Sequence, residues 1–221
     1  MTITTDTPVG HVASEYPLAT RVFHRHNIDF CCGGGASLRD ACAKRGVDPD
    51  AVIAEIETEL RGSTEPAKRW DEATIDELID HILEAYHRPL TEELRRLHVL
   101  GRKVLTVHGD KAPELEELFT IFSELETELE KHMAGEEVAF PLFREGRAAE
   151  VAKDIEGMED EHDDAGNALR RIRELTNNYE TPQGACNSWR ALWHGLEQLE
   201  VDLHEHVHLE NNILFPRALG R

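Results

Sequence analysis

The chain has 221 residues, a formal net charge of −20 and 40% apolar residues. So acidic a surface repels phosphate backbones and anionic lipid, which argues against nucleic acid and membrane as partners. No apolar run approaches the roughly 20 residues of a spanning helix. The N-terminal stretch also lacks the basic start and apolar centre of a signal peptide, so a cytoplasmic location is expected.

Residues 1–62 read as a small helical module. Residues 17–26 predict a short helix, 28–32 an extended piece, and Gly33, Gly34 and Gly35 a turn. Ser37 then caps a helix ending at Gly46, and Pro49 opens another that runs to about Leu60. Cys31 and Cys32 stand just before this capped helix, where backbone N–H groups favour thiolate and hence nucleophilic or metal-binding chemistry. A pair of small residues buried at a turn fits the same composition. Cys42 reads as core and Cys186 falls in a loop. The polar stretch 61–69, with Gly62 and Pro66, reads as a linker to a second domain at 70–221.

Four long helical patterns follow, at 73–107, 113–141, 148–176 and 187–215, with no strand signal between them. Helix breakers fill the short connections, which predicts antiparallel neighbours: an all-α, up-down-up-down four-helix bundle. Core positions in such a bundle recur in steps of four and three. The last helix gives Leu192, Leu196, Leu199, Leu203, His206, Glu210, Ile213, and the second gives Leu118, Phe122, Leu125, Leu129, His132, Glu136, Ala139. Both replace two apolar residues by His then Glu. The first and third stripes each carry one histidine, His87 and His162.

Six polar side chains thus point inward from four helices, at depths that agree within one or two turns. Burying them unsatisfied would cost several kcal/mol, so a metal site explains them. Two carboxylates able to bridge, with four imidazoles, suit two iron or manganese ions better than one tetrahedral zinc. Such a pair leaves open positions for O2 or NO. A ferritin-like scheme through Glu84 and Glu159 competes, but leaves His132 and His206 without a role. His204 and His208 project about 160° from His206 and are expected in solvent. His81, His98 and His194 have ordinary readings, and His108 lies too far along its helix from His87 to share a cluster.

The segments Asp29-Phe-Cys-Cys-Gly-Gly34, Glu159-Asp-Glu-His-Asp-Asp-Ala-Gly166 and His206-Val-His-Leu-Glu-Asn-Asn-Ile-Leu-Phe-Pro216 resemble the Repair of Iron Centres family of hemerythrin-like di-iron proteins. The resemblance spans essentially the whole chain. It implies two non-haem irons bridged by Glu136 and Glu210 and by an oxo or hydroxo group, with His87, His132, His162 and His206 as the remaining ligands. It also implies repair of iron–sulfur proteins damaged by nitrosative or oxidative stress, through iron donation or through binding and reduction of NO. A hemerythrin-like O2 or NO carrier or sensor is the alternative. The resemblance gives Cys31 and Cys32 a functional role and leaves a homodimer open. Two features depart from the family pattern. Phe140-Pro141 comes after Glu136 one residue early, which should rotate the remainder of the helix by about 100° and leaves Glu136 or Glu137 as the bridge, with geometry from His132 favouring Glu136. The other is Pro89, close to His87.

Overall fold

The computed structural model describes residues 3–63 and 67–221. Among them there is no strand, and no helix is long and apolar enough to cross a membrane. Four short helices form the N-terminal part: α1 (Val9–Glu15), α2 (Ala19–Arg25), α3 (Leu38–Arg45) and α4 (Pro49–Gly62). Their cap chemistry is local. Ser37 accepts from the Asp40 N–H, Gly46 closes α3 in the left-handed conformation at φ 68°, and Asp48 caps α4 ahead of Pro49. Val12, Phe23, Phe30, Leu38 and Ile56 make a core of their own. Helix α1 has no counterpart in the sequence expectations, because Pro8 precedes it in place of a side-chain cap. Of the expected linker at 61–69, Arg61 and Gly62 finish α4, and residues 64–66 lie outside the described residues.

The bundle comprises α5 (Ile75–Ile82) and α6 (Arg88–His108), α7 (Glu114–Arg144), α8 (Ala152–Leu175), and α9 (Asn187–Leu209) with α10 (Phe215–Leu219). Helix α6 packs on α7 and α9, and α8 packs on the same two, so sequence neighbours are spatial neighbours around the ring. The first and last long patterns are not continuous α-helices. A π-turn at Leu83–His87 joins α5 to α6, and another at Glu210–Leu214 joins α9 to α10. Each is closed by the N–H of the residue just beyond it, Arg88 to Leu83 and Phe215 to Glu210, and each is followed by a proline, Pro89 or Pro216.

These turns correct the expected rotation after Glu136. From His132 to Phe140 is eight residues, whereas His206 to Phe215 is nine. The extra residue in the last helix is taken up by its π-turn, while α7 runs as an uninterrupted α-helix through Pro141. Both phenylalanines are consequently enclosed. Two apolar clusters fill the bundle. One contains Leu94, Phe122, Ile172 and Leu196, and the other Ile79, Phe143, Ile155 and Phe215. In every long helix the inward-facing histidine falls between them.

Candidate metal centre

His87 is the last residue of the first π-turn, His132 and Glu136 are one helical turn apart on α7, and His162 is on α8. His206 lies near the end of α9, and Glu210 opens the second π-turn. All six side chains are buried, and both carboxylates are fully enclosed, at 0% exposure. They form two groups of four that share both glutamates: His87, Glu136, His206 and Glu210, and His132, Glu136, His162 and Glu210. Within each group the ligating atoms lie within 4.8 Å of one another.

The carboxylate oxygens divide between the groups. Glu136 turns Oε2 toward His87 Nε2 at 3.3 Å and Oε1 toward His132 Nε2 at 3.2 Å. Glu210 turns Oε1 toward His206 Nε2 at 2.9 Å and Oε2 toward His162 Nε2 at 3.3 Å. The donor set fits cations on direct physical grounds. Both oxygens of Glu136, Oε2 of Glu210 and Nε2 of His87 are buried without a hydrogen-bond partner, and groups so placed carry a large desolvation cost unless something neutralises them. Burial alone would raise both carboxyls, but the facing imidazoles hold Glu136 below and Glu210 well below the usual range. Burial likewise opposes charge on His132, and the Glu136 carboxylate 3.2 Å away overrides this and pushes it up to about 9.

Residues 78–218 match the Hemerythrin HHE cation binding domain, and residues 5–60 match the N-terminal ScdA family, described as a domain of unknown function. The iron-sulfur cluster repair protein YtfE of Pectobacterium atrosepticum is 41% identical over 215 residues, 97% of each chain. Its namesake in Cronobacter sakazakii is 41% identical over 216 residues, and that of Escherichia coli O81 is 40% identical over 216, again with 97% of each chain covered. The chain belongs to the Repair of Iron Centres family.

Around the candidate centre of this family member stands a second layer that the sequence stripes do not reveal. His87 Nδ1 faces Glu137 Oε1 at 3.2 Å, His132 Nδ1 faces Glu161 Oε2 at 2.8 Å, and His162 Nδ1 faces Asn211 Oδ1 at 2.8 Å. These acceptors take the proton on Nδ1 and so turn each Nε2 inward. Each acceptor is adjacent in sequence to an inward residue, which is the one signal that could have found them. Glu137 is half-exposed and points outward, so the enclosed carboxylate on α7 is Glu136. The ferritin-like scheme fails on Glu84, which is exposed and paired with Arg88. An apolar cavity of about 260 Å³, lined by Ile121, Leu125, Leu129 and Ala168, opens onto His132, His162 and His206.

The N-terminal part packs on the face of α9 opposite the centre, which corrects the expectation that His204 and His208 are solvated. His208 is buried, its Nδ1 donates to the Phe30 carbonyl at 3.3 Å, and burial lowers it to about 4. His204 lies edge-on to Phe30. Asn212 donates to the carbonyls of Cys31 at 2.8 Å and Phe30 at 3.4 Å, tying the paired cysteines to the π-turn that carries Glu210. Cys31 is buried and Cys32 half-buried, with their Sγ atoms 4.0 Å apart. At Cys31 the surroundings oppose the expected thiolate. The hydrogen bond with Cys32, together with burial, keeps its thiol well above the ordinary range. Both cysteines line a cavity of about 350 Å³ between the module and α8. Cys42 is buried core, and Cys186 is exposed and meets His108 Nε2 at 3.3 Å, far from the six ligands.

Proposed function

We propose that His87, Glu136, His206 and Glu210 hold one non-haem iron and His132, Glu136, His162 and Glu210 a second, with the two glutamates bridging. The supporting observation is the division of each carboxylate, one oxygen toward each group of histidines. Bound iron there supplies reducing electrons, open positions for a diatomic ligand, and iron itself as cargo. The protein's own residues do the rest: Glu137, Glu161 and Asn211 orient the imidazoles, and the clusters above and below keep water out.

On that basis the protein acts in the cytoplasm to repair iron–sulfur clusters damaged by nitrosative or oxidative stress. The names of its relatives carry the repair of iron–sulfur clusters alone; donating iron, binding NO, or both is the route that the chemistry of this centre offers. Anaerobically purified protein is expected to carry two irons per chain. Added to an NO-inactivated [4Fe–4S] enzyme, it is expected to restore activity beyond free ferrous iron. One iron per chain or fewer, or no recovery, would overturn the proposal. A carrier or sensor of O2 or NO is the second reading, favoured by the apolar cavity at His132, which suits a neutral diatomic. Ligand binding without recovery distinguishes it.

A further inference from the structure

The ring contacts of the candidate centre are unequal. His87 lies against Phe140 and His162 stacks on Phe215, and both phenylalanines are sealed in the core. His206 instead begins a series that leaves the bundle. Its ring is parallel to Tyr86 within 8°, centroids 5.2 Å apart. Tyr86 meets His81 edge-on at 5.5 Å, and His81 stacks on Trp70 at 3.8 Å and 15°. Lys68 Nζ sits 3.8 Å from the Trp70 ring centre. Tyr86, His81 and Trp70 are all half-buried and Lys68 is exposed. Among the described residues no other ring series joins an inward histidine to the surface. Trp189 and Trp193 pair with each other beside His108, away from the centre.

We propose that Trp70, His81, Tyr86 and His206 form a one-electron path into the metal centre, used by a reduced flavin nucleotide that docks at Trp70. The path rests on the iron reading given above. A carrier cannot touch ligands buried this completely, and electron tunnelling weakens steeply with distance and more steeply across gaps than through packed atoms. Contiguous π-systems supply the packed route. The fold delivers each ring on a separate element: Trp70 from a single 3-10 turn, His81 from α5, Tyr86 from the π-turn and His206 from α9. A shallow cavity of about 160 Å³ bares Trp70 and Tyr86 beside Lys68, whose cation suits the phosphate of a flavin nucleotide. In each transfer the donor loses one electron and one ferric ion becomes ferrous. No bond is made or broken and no proton moves.

The test uses the full chain, iron-loaded and oxidised, under anaerobic conditions, with laser-photoreduced flavin mononucleotide as donor. Iron content and Mössbauer spectra are recorded first for every variant. Trp70→Leu and His81→Leu are expected to keep both irons and lose about tenfold in the rate of ferric bleaching, equivalent to about 1.4 kcal/mol of barrier. Trp70→Phe, which keeps a ring in place, is expected to stay near the wild-type rate. In metal-free protein, flash oxidation is expected to give a tryptophan radical that passes to tyrosine as the Tyr86 phenol gives its proton to solvent in the cavity it lines, a transfer absent in Trp70→Phe and in Tyr86→Phe. Iron-loaded leucine variants that bleach at the wild-type rate, or metal-free wild type without radical transfer, overturn the path. A wild-type chain that binds no iron overturns the centre instead.

Discussion

His132 and His162 meet Nε2 to Nε2 at 2.8 Å. Each ring turns its other nitrogen to an oxygen acceptor, Glu161 or Asn211, so the two inner nitrogens are left facing one another. A shared proton bridges such a pair when His132 is charged, and a bound cation would take that proton's place between His132, His162 and the two enclosed carboxylates. Stripping metal with a chelator should therefore destabilise the bundle. A ligand present at a thousand times its dissociation constant stabilises by about 4 kcal/mol. Calorimetry of metal-loaded and stripped protein should show Tm falling on metal removal. An unchanged Tm after verified removal would count against a cation at this position.

Neighbouring glutamates on α7 should separate cleanly by mutation. Glu136→Ala removes a carboxylate common to both groups, and such protein should hold at most one iron per chain. Glu137→Ala removes only the acceptor for His87 Nδ1 and should keep two irons with affinity weakened about 10–100-fold. Iron titration followed by Mössbauer spectroscopy measures both. Equal losses in the two variants would contradict the enclosed position of Glu136.

The six inward residues were legible because a bundle core is periodic, and His or Glu breaks a leucine stripe visibly. The π-turns were not, since an inserted residue looks like a spacing error. Reading Phe140-Pro141 as the irregular copy inverted the case, because the irregular copy is the one ending in Phe215. His204 and His208 were misplaced for a different reason. Facing away from one core does not mean facing water when a second core, built around Phe23 and Phe30, covers that side. Glu161 and Asn211 escaped notice because a second layer obeys no stripe.

At the seam between the two parts, Gly34 leaves room for Asn212. A Cβ on Gly34 would lie 2.1 Å from Asn212 Oδ1. Gly34→Ala should displace the Asn212 amide and release its hydrogen bond to the Cys31 carbonyl. In wild type, iodoacetamide should label exposed Cys186 and half-buried Cys32 before Cys31 and Cys42. In Gly34→Ala the protection of Cys31 should fall, with iron content retained. Peptide mass spectrometry measures the order. Undiminished protection would mean that Asn212 does not hold the pair.

His81 gives a pH dependence with a definite sign. Burial, with help from the Lys68 charge, lowers its pKa below 6.5. Above pH 6.5 the ring is neutral folded or unfolded and contributes nothing pH-dependent. As pH falls through 6.5 the unfolded chain binds the proton first, so the stack on Trp70 loses stability in that range. NMR titration should place the His81 midpoint below 6.5, and Lys68→Ala should move it upward. A midpoint unmoved by that substitution would remove Lys68 as a cause.

Glu200 is a buried carboxylate outside both candidate ligand groups, and its partners predict a structural effect alone. Arg173 Nη2 approaches it at 2.7 Å, and the Tyr179 hydroxyl donates to the same oxygen at 2.7 Å. Truncation strands a mostly buried guanidinium and a buried phenol, and losing one member of such a pair costs about 3–5 kcal/mol. Glu200→Gln keeps an acceptor for Tyr179 and should cost less than Glu200→Ala. Both should bind two irons, since Glu200 lies outside both ligand groups. Urea unfolding at pH 7 should show the midpoint falling in that order with the slope unchanged, because the surface exposed on unfolding stays the same. Iron loss without loss of stability would reverse the assignment, making Glu200 part of the site.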